Sequence, residues 1–142
     1  MTFIRRSCTA LLLLTAVTAV SVAAQAPATK VKAKGGDPIV QDRPLSAWIA
    51  DLGGDAPYTR VSAAYAVGSA GPAAKAAVPA LIENLSSENA SVRYSSTLAL
   101  GEIGPDAAAA VPALQKELDD RNDDVAHMAR KSIKLITGES AE

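Results

Sequence analysis

The stretch Gly71-Pro72-Ala73-Ala74-Lys75-Ala76-Ala77-Val78-Pro79-Ala80-Leu81 returns as Gly104-Pro105-Asp106-Ala107-Ala108-Ala109-Ala110-Val111-Pro112-Ala113-Leu114. Nine of these eleven positions are identical, as are fifteen of 33 across residues 58–90 and 91–123. A repeat of this size marks a stack of supersecondary units, none able to bury its apolar face alone. Within each unit the apolar spacing is helical. Leu81, Ile82 and Leu85 share one helix face, and Val92, Ser96, Ala99, Leu100 and Ile103 share another.

The period extends beyond the two clear copies. Leu45, Trp48, Ile49 and Leu52 precede Val78, Leu81, Ile82 and Leu85 by 33 residues. Val125, Ser132, Ile133 and Ile136 follow Val92, Ala99, Leu100 and Ile103 by the same step. Six helices are predicted, over roughly 43–52, 57–68, 73–85, 90–102, 107–118 and 123–137. Pro44, Pro79 and Pro112 lie near helix starts, where a missing N–H costs little. Gly71 and Gly104 fall just past helix ends. Asp42, Ser91 (or Asn89) and Asp123 are the expected N-caps. Short connections make neighbouring helices antiparallel. The fold class expected is all-α: a short stack of about three helical hairpins over residues 41–138, followed by a C-terminal tail, 139–142.

Residues Val92-Arg93-Tyr94-Ser95-Ser96-Thr97-Leu98-Ala99-Leu100-Gly101-Glu102-Ile103-Gly104-Pro105, with Ala110-Val111-Pro112-Ala113-Leu114, resemble the HEAT repeat. The form is most similar to the PBS lyase HEAT-like subclass. The resemblance covers about 95 residues and implies an armadillo-like helical α-solenoid. The outer copies depart from it. Thr59 and Ala70 replace Val and Ile in one, while Ala126 replaces Arg and Lys134 replaces Gly in the last. Terminal units of such stacks are commonly atypical. The resemblance implies a structural role for Arg60 and Arg93, with nearby carboxylates or helix ends as partners. Some relatives are lyases or isomerases of bilin chromophores, which supplies the enzymatic alternative.

Residues 1–24 read as a signal peptide. Arg5 and Arg6 precede the apolar run 10–20, and Val22-Ala23-Ala24 places cleavage before Gln25. The competing reading is an uncleaved membrane anchor, because the uncharged run from Ser7 to Thr29 is long enough to span. Its decay into Ala and small polar residues favours cleavage. Cys8 follows Arg6-Ser7 and lacks a lipoprotein context. Export to the periplasm or the medium is therefore expected. Cleavage would take the formal charge from −1 to −3 and remove the sole Cys, leaving a fold that stands on packing alone. Residues 25–40, with Pro and Gly breakers and Lys30, Lys32 and Lys34, read as a flexible linker.

The chain offers little catalytic chemistry. His127 has no second His or Cys for a metal site. Asp120, Asn122 and Asp124 have the spacing that opens a calcium loop, but Val125 stands where Gly is needed and Lys131 where a bidentate Glu is needed. No cofactor is expected, and the charge balance gives no reason to expect nucleic acid. The expected activity is non-enzymatic binding of a protein partner. The 33-residue step marks Ala50 and Asp51, Glu83 and Asn84, and Lys116 and Glu117 as outward candidates for contact, with Arg60 and Arg93 beside them. Trp48 at one end, and Met128, Ile133 and Ile136 at the other, would be left uncovered by a six-helix stack. End-to-end homodimerisation would hide them.

Overall fold

Proline and glycine set the boundaries of the helices. The computed structural model describes residues 32–34 and 36–138. Helices α1 (Leu45–Asp51), α2 (Pro57–Ser69), α3 (Val78–Leu85), α4 (Ala90–Ile103), α5 (Val111–Lys116) and α6 (Asp123–Thr137) follow the repeat. The stretches expected to begin α3 and α5 are instead 3-10 turns, Gly71–Ala77 and Gly104–Ala110. Each contains a non-helical alanine, Ala74 (ψ 17°) and Ala107 (ψ 17°). Pro79 and Pro112 explain this: each lacks an N–H and its ring crowds the carbonyl four residues earlier, so the α-helix starts only one residue before it. Glu117–Asp119 forms a further 3-10 turn after α5. Gly71 and Gly104 sit at positive φ where α2 and α4 give way to these turns.

Hairpins α1/α2, α3/α4 and α5/α6 stack so that α2, α4 and α6 lie side by side as one layer. The shorter α1, α3 and α5 form the other layer. Leu52, Leu81, Leu100, Ile103 and Leu114 are fully buried between the layers. Close approach within the long-helix layer depends on glycine. A Cβ on Gly101 would lie 3.1 Å from the Ser132 Cα, and one on Gly68 would lie 3.2 Å from the Ala99 Cα. Leu81 and Leu114 occupy equivalent positions with no strand between them, so the helical stack expected from the repeat is the observed fold.

The N-terminal edge differs from expectation. Part of the stretch read as a linker is β-structure: β1 (Lys32–Lys34), β2 (Asp37–Val40) and β3 (Arg43–Pro44) form an antiparallel sheet. The physical reason lies in one residue and a turn. Val40 is fully buried in the core, while Gln41 (φ 49°) and Asp42 (φ 61°) make a two-residue reversal between β2 and β3. Positive φ at both central residues is the hairpin turn that matches strand twist. Asp42 is thus a turn residue rather than a helix cap. Pro44 occupies the N-cap position of α1 without a side-chain bond. Asp37 supplies that function from β2, accepting from Ser46 N (3.2 Å) and Ser46 Oγ (2.5 Å).

The sheet also covers the first hairpin. Trp48 donates Nε1–H to the Val40 carbonyl (2.9 Å), and the Arg43 guanidinium lies 4.1 Å over its ring. At the other end Met128 and Ile136 are buried and Ile133 is half-buried. The uncovered ends that would have called for a homodimer are therefore largely closed within the chain. Leu135 is the large apolar side chain of α6 left exposed. The stretches read as a signal peptide, as a linker before Lys32 and as a C-terminal tail, 139–142, lie outside the described residues. Among the described residues no helix is long and apolar enough to cross a membrane.

Candidate functional site

The two recurring arginines sit between repeats and are tied down differently. Arg93 on α4 is buried. Its Nε and Nη2 donate to the two carboxylate oxygens of Asp120 (2.6 and 2.8 Å), and its Nη1 donates to the carbonyls of Ser87 (2.9 Å) and Glu88 (3.1 Å). One guanidinium therefore staples the loop before α4 to the loop before α6. Arg121 reinforces the junction by donating Nη2–H to the Glu88 carbonyl (2.7 Å). Arg60 on α2 makes a single long bond, Nη1 to Asn84 Oδ1 (3.4 Å), and its buried Nε has no partner.

Glu117 lies beside the Arg93–Asp120 pair, 3.9 Å from Arg93 Nε, with a buried oxygen that accepts no hydrogen bond. Because Asp120 already occupies the guanidinium fork, the second carboxylate is poorly compensated. Burial, then hydrogen bonding to Asp120 and repulsion from it, raise the Glu117 carboxyl to about 7, against a smaller lowering by Arg93. The hydrogen bond from Arg93 is the main reason that Asp120 is lowered to about 2, and the Asn122 backbone N–H helps. Hydrogen bonding to Asp120 also raises Arg93.

These positions revise the expected contact surface. Asn84 is buried, not outward: its Nδ2–H holds the Leu52 carbonyl (3.0 Å) and its Oδ1 faces Arg60. Glu117 turns inward to Arg93 for the corresponding reason, since residue 117 repeats residue 84. Asp51 is half-buried and paired with Arg43 (2.9 Å). Ala50, Glu83 and Lys116 are exposed on the short-helix layer. The expected residues are thus not brought together on one surface.

A groove opens instead on the α2/α4/α6 layer. It encloses about 540 Å³ and is lined by Val61, Tyr65, Ala90, Ser91, Tyr94, Asn122 and Asp124. Tyr58, Val61 and Tyr65 share one face of α2, and Tyr58 is 81% exposed. All three tyrosines of the chain therefore lie on the long-helix layer. Asn122 lines the groove, and Asn89 and Asn122 cap the helices whose first turns border it. Asn89 Oδ1 accepts from Ser91 N (2.9 Å) and Val92 N (3.4 Å), and Asn122 Oδ1 accepts from Asp124 N (3.0 Å) and Val125 N (3.2 Å). Of the two caps expected for α4, Asn89 is the one observed and Ser91 lies inside the helix, as does Asp123 in α6. A short amide carbonyl at the preceding position reaches both free N–H groups. The spacing Tyr58–Val61–Tyr65 carried a signal for this groove: an apolar stripe on a helix whose core face is already supplied by Ala63, Ala66 and Val67.

Further along the face, Glu102 lies over Gly68; burial raises its carboxyl, with Lys131 acting against the shift. His127 is exposed on α6 at the repeat position of Tyr94. Among the described residues no group of three His, Cys, Asp or Glu side chains could hold a metal ion.

Stacked antiparallel hairpins with repeat-spaced arginines define a short α-solenoid. The family model for HEAT repeats matches residues 45–134, and the chain belongs to the HEAT repeat family. Such repeats are commonly protein-interaction scaffolds, and the family is generally non-enzymatic. No curated protein matches the chain.

Proposed function

We propose that this is an exported, non-enzymatic scaffold that binds a protein partner through the α2/α4/α6 face. The observation that carries the reading is the groove lined by Tyr65, Tyr94 and Val61, with Tyr58 exposed on the same stripe. Tyrosine offers a large apolar body and a polar tip at low entropic cost, which is why it is enriched where proteins meet. The buried Arg93 staple keeps the repeats on either side of it in register and so holds the groove's walls. The N-terminal segment, read as a signal peptide, supports function in the periplasm or outside the cell. N-terminal sequencing of the mature protein should begin at Gln25, whereas a retained segment would make the protein a membrane-tethered scaffold.

The decisive experiment is affinity capture of the mature protein from its native compartment, beside the Tyr65→Ala and Tyr94→Ala variants. Partners held by the native chain and lost by both variants, with circular dichroism unchanged, are expected. Equal recovery by all three would overturn the assignment of this face. The motif at 92–114 also supports membership of the PBS lyase HEAT-like subclass, whose enzymatic reading is tested by absorbance after mixing with bilin. A chromophore that becomes covalently attached would replace the scaffold reading.

A further inference from the structure

The groove's lining is unevenly charged. Two helix N-termini, those of α4 and α6, meet at its lip, an arrangement that would ordinarily attract an anion. Here Asn89 and Asn122 already occupy N–H groups at both ends. The charged side chain lining the cavity is a carboxylate, Asp124, which is exposed and makes no ion pair among the described residues. Asp123 beside it is also exposed, and adds to the negative rim. Cations do occur on α6, but further along: Arg130, Lys131 and Lys134 begin nearly two turns beyond Asp124, and Lys131 faces Glu102. Across the groove stand Tyr65 and Tyr94, whose ring faces attract a cation and accept an aliphatic stem.

Resting on the scaffold reading above, we infer that the groove takes an extended peptide segment of the partner bearing a lysine or arginine. The stem lies against Tyr65 and Tyr94, and the charged head meets Asp124. The volume falls within the roughly 300–1,000 Å³ range of ligand-sized sites, which suits one long side chain with its flanking residues rather than a folded domain.

The test uses three labelled nonapeptides, identical except for a central Lys, norleucine or Glu, titrated into the mature protein by fluorescence anisotropy. The Lys peptide is expected to bind about 10-fold more tightly than the Glu peptide, with norleucine between them, and the gap should narrow in 0.5 M salt. Asp124→Lys should reverse the order of Lys and Glu while keeping a cooperative, slightly lowered thermal melt, since the exposed carboxylate lies in the first turn of α6. Equal binding of Lys and norleucine, tighter binding of Glu, or no binding of any peptide overturns the charge preference. The scaffold reading stands or falls separately, on whether Tyr65→Ala and Tyr94→Ala lose the captured partner.

Discussion

Arg60 and Arg93 occupy the same position in successive repeats, yet one is loosely held and the other is locked. The difference comes from the partners, not from the arginines: two side-chain positions differ, and the loop carbonyls that Arg93 holds have no bonded counterpart at Arg60. Residue 84 is Asn in one repeat and its counterpart 117 is Glu; residue 87 is Ser and its counterpart 120 is Asp. Ser87 and Asp120 each receive a backbone N–H from the helix-capping asparagine, Asn89 N to Ser87 Oγ (3.3 Å) and Asn122 N to Asp120 Oδ1 (2.7 Å). Asp120 adds a bidentate grip on Arg93 that a hydroxyl cannot supply. The period thus places the arginine, while the loop side chains decide how firmly it ties two repeats together.

That comparison assumes that both stations stand on the same seam. Leu81 and Leu114, each fully buried, fill the seam below them. Leu81→Asp and Leu114→Asp remove a buried Leu and introduce an uncompensated charge, at a cost of more than about 4 kcal/mol each. Both variants should lose the cooperative helical melt in circular dichroism. A native melt from either would show that the two copies do not share one register.

Arg93→Ala and Arg60→Ala compare the stations directly. Removing Arg93 strands the buried Asp120 and frees the Ser87 and Glu88 carbonyls, so a loss of about 3–5 kcal/mol is expected. Removing Arg60 breaks one long bond and should cost only about 1 kcal/mol. Urea denaturation of both variants reads the difference. Equal losses would mean that packing of the guanidinium, rather than its bonds, governs both stations.

The extent to which this was legible follows the same division. Helices, their layers and the positions of Arg60 and Arg93 are written in the 33-residue period, because apolar side chains at matching offsets pack into equivalent places in the stack. The N-terminal sheet was not legible. Its strands are short, and Val40 becomes a core residue only once α1 is in place to receive it. Residues 84 and 117 looked outward by offset from their helices, but each is drawn inward by an arginine on the neighbouring helix. The groove is not written in the period, because its tyrosines do not recur there.

The third test concerns the acid that the Arg60 station lacks. Glu117 is held at about 7 in the folded chain, above its ordinary value of 4.5. A carboxyl raised on folding contributes stability when protonated, and that contribution is lost as pH rises from about 4.5 through 7. Asp120, lowered to about 2, contributes stability at neutral pH that is lost as pH falls from about 4 through 2. The two should leave a stability maximum on the acid side of neutrality. Glu117→Gln keeps a donor for Asp120 and removes the titration, so it should stabilise the fold by about 2–3 kcal/mol at pH 8 and by almost nothing at pH 4. Urea midpoints across that range provide the measurement. A constant difference between native chain and variant at all pH values would show that Glu117 does not titrate on folding.

The smallest expected effect is also the sharpest test of equivalence. If loop chemistry alone separates the stations, Ser87→Asp should convert the weak one into a copy of the strong one. The new carboxylate would stand where Asp120 stands relative to Arg93, keep the bond to Asn89 N, and offer the partnerless Arg60 Nε an acceptor. Arg60 is only half-buried, and ordering its side chain offsets part of the attraction, so a net gain of about 0.5–1 kcal/mol is expected. A gain that small is best read in a double-mutant cycle with Arg60→Ala, because the new charge also alters the loop's interaction with Arg93, whose Nη1 bonds the Ser87 carbonyl. Coupling between positions 60 and 87 that rises from near zero to about 1 kcal/mol would show that the repeat transplants function as well as shape. Coupling that stays near zero would locate the difference in the backbone of the two loops, and the shared 33-residue step would then describe the helices without describing what joins them.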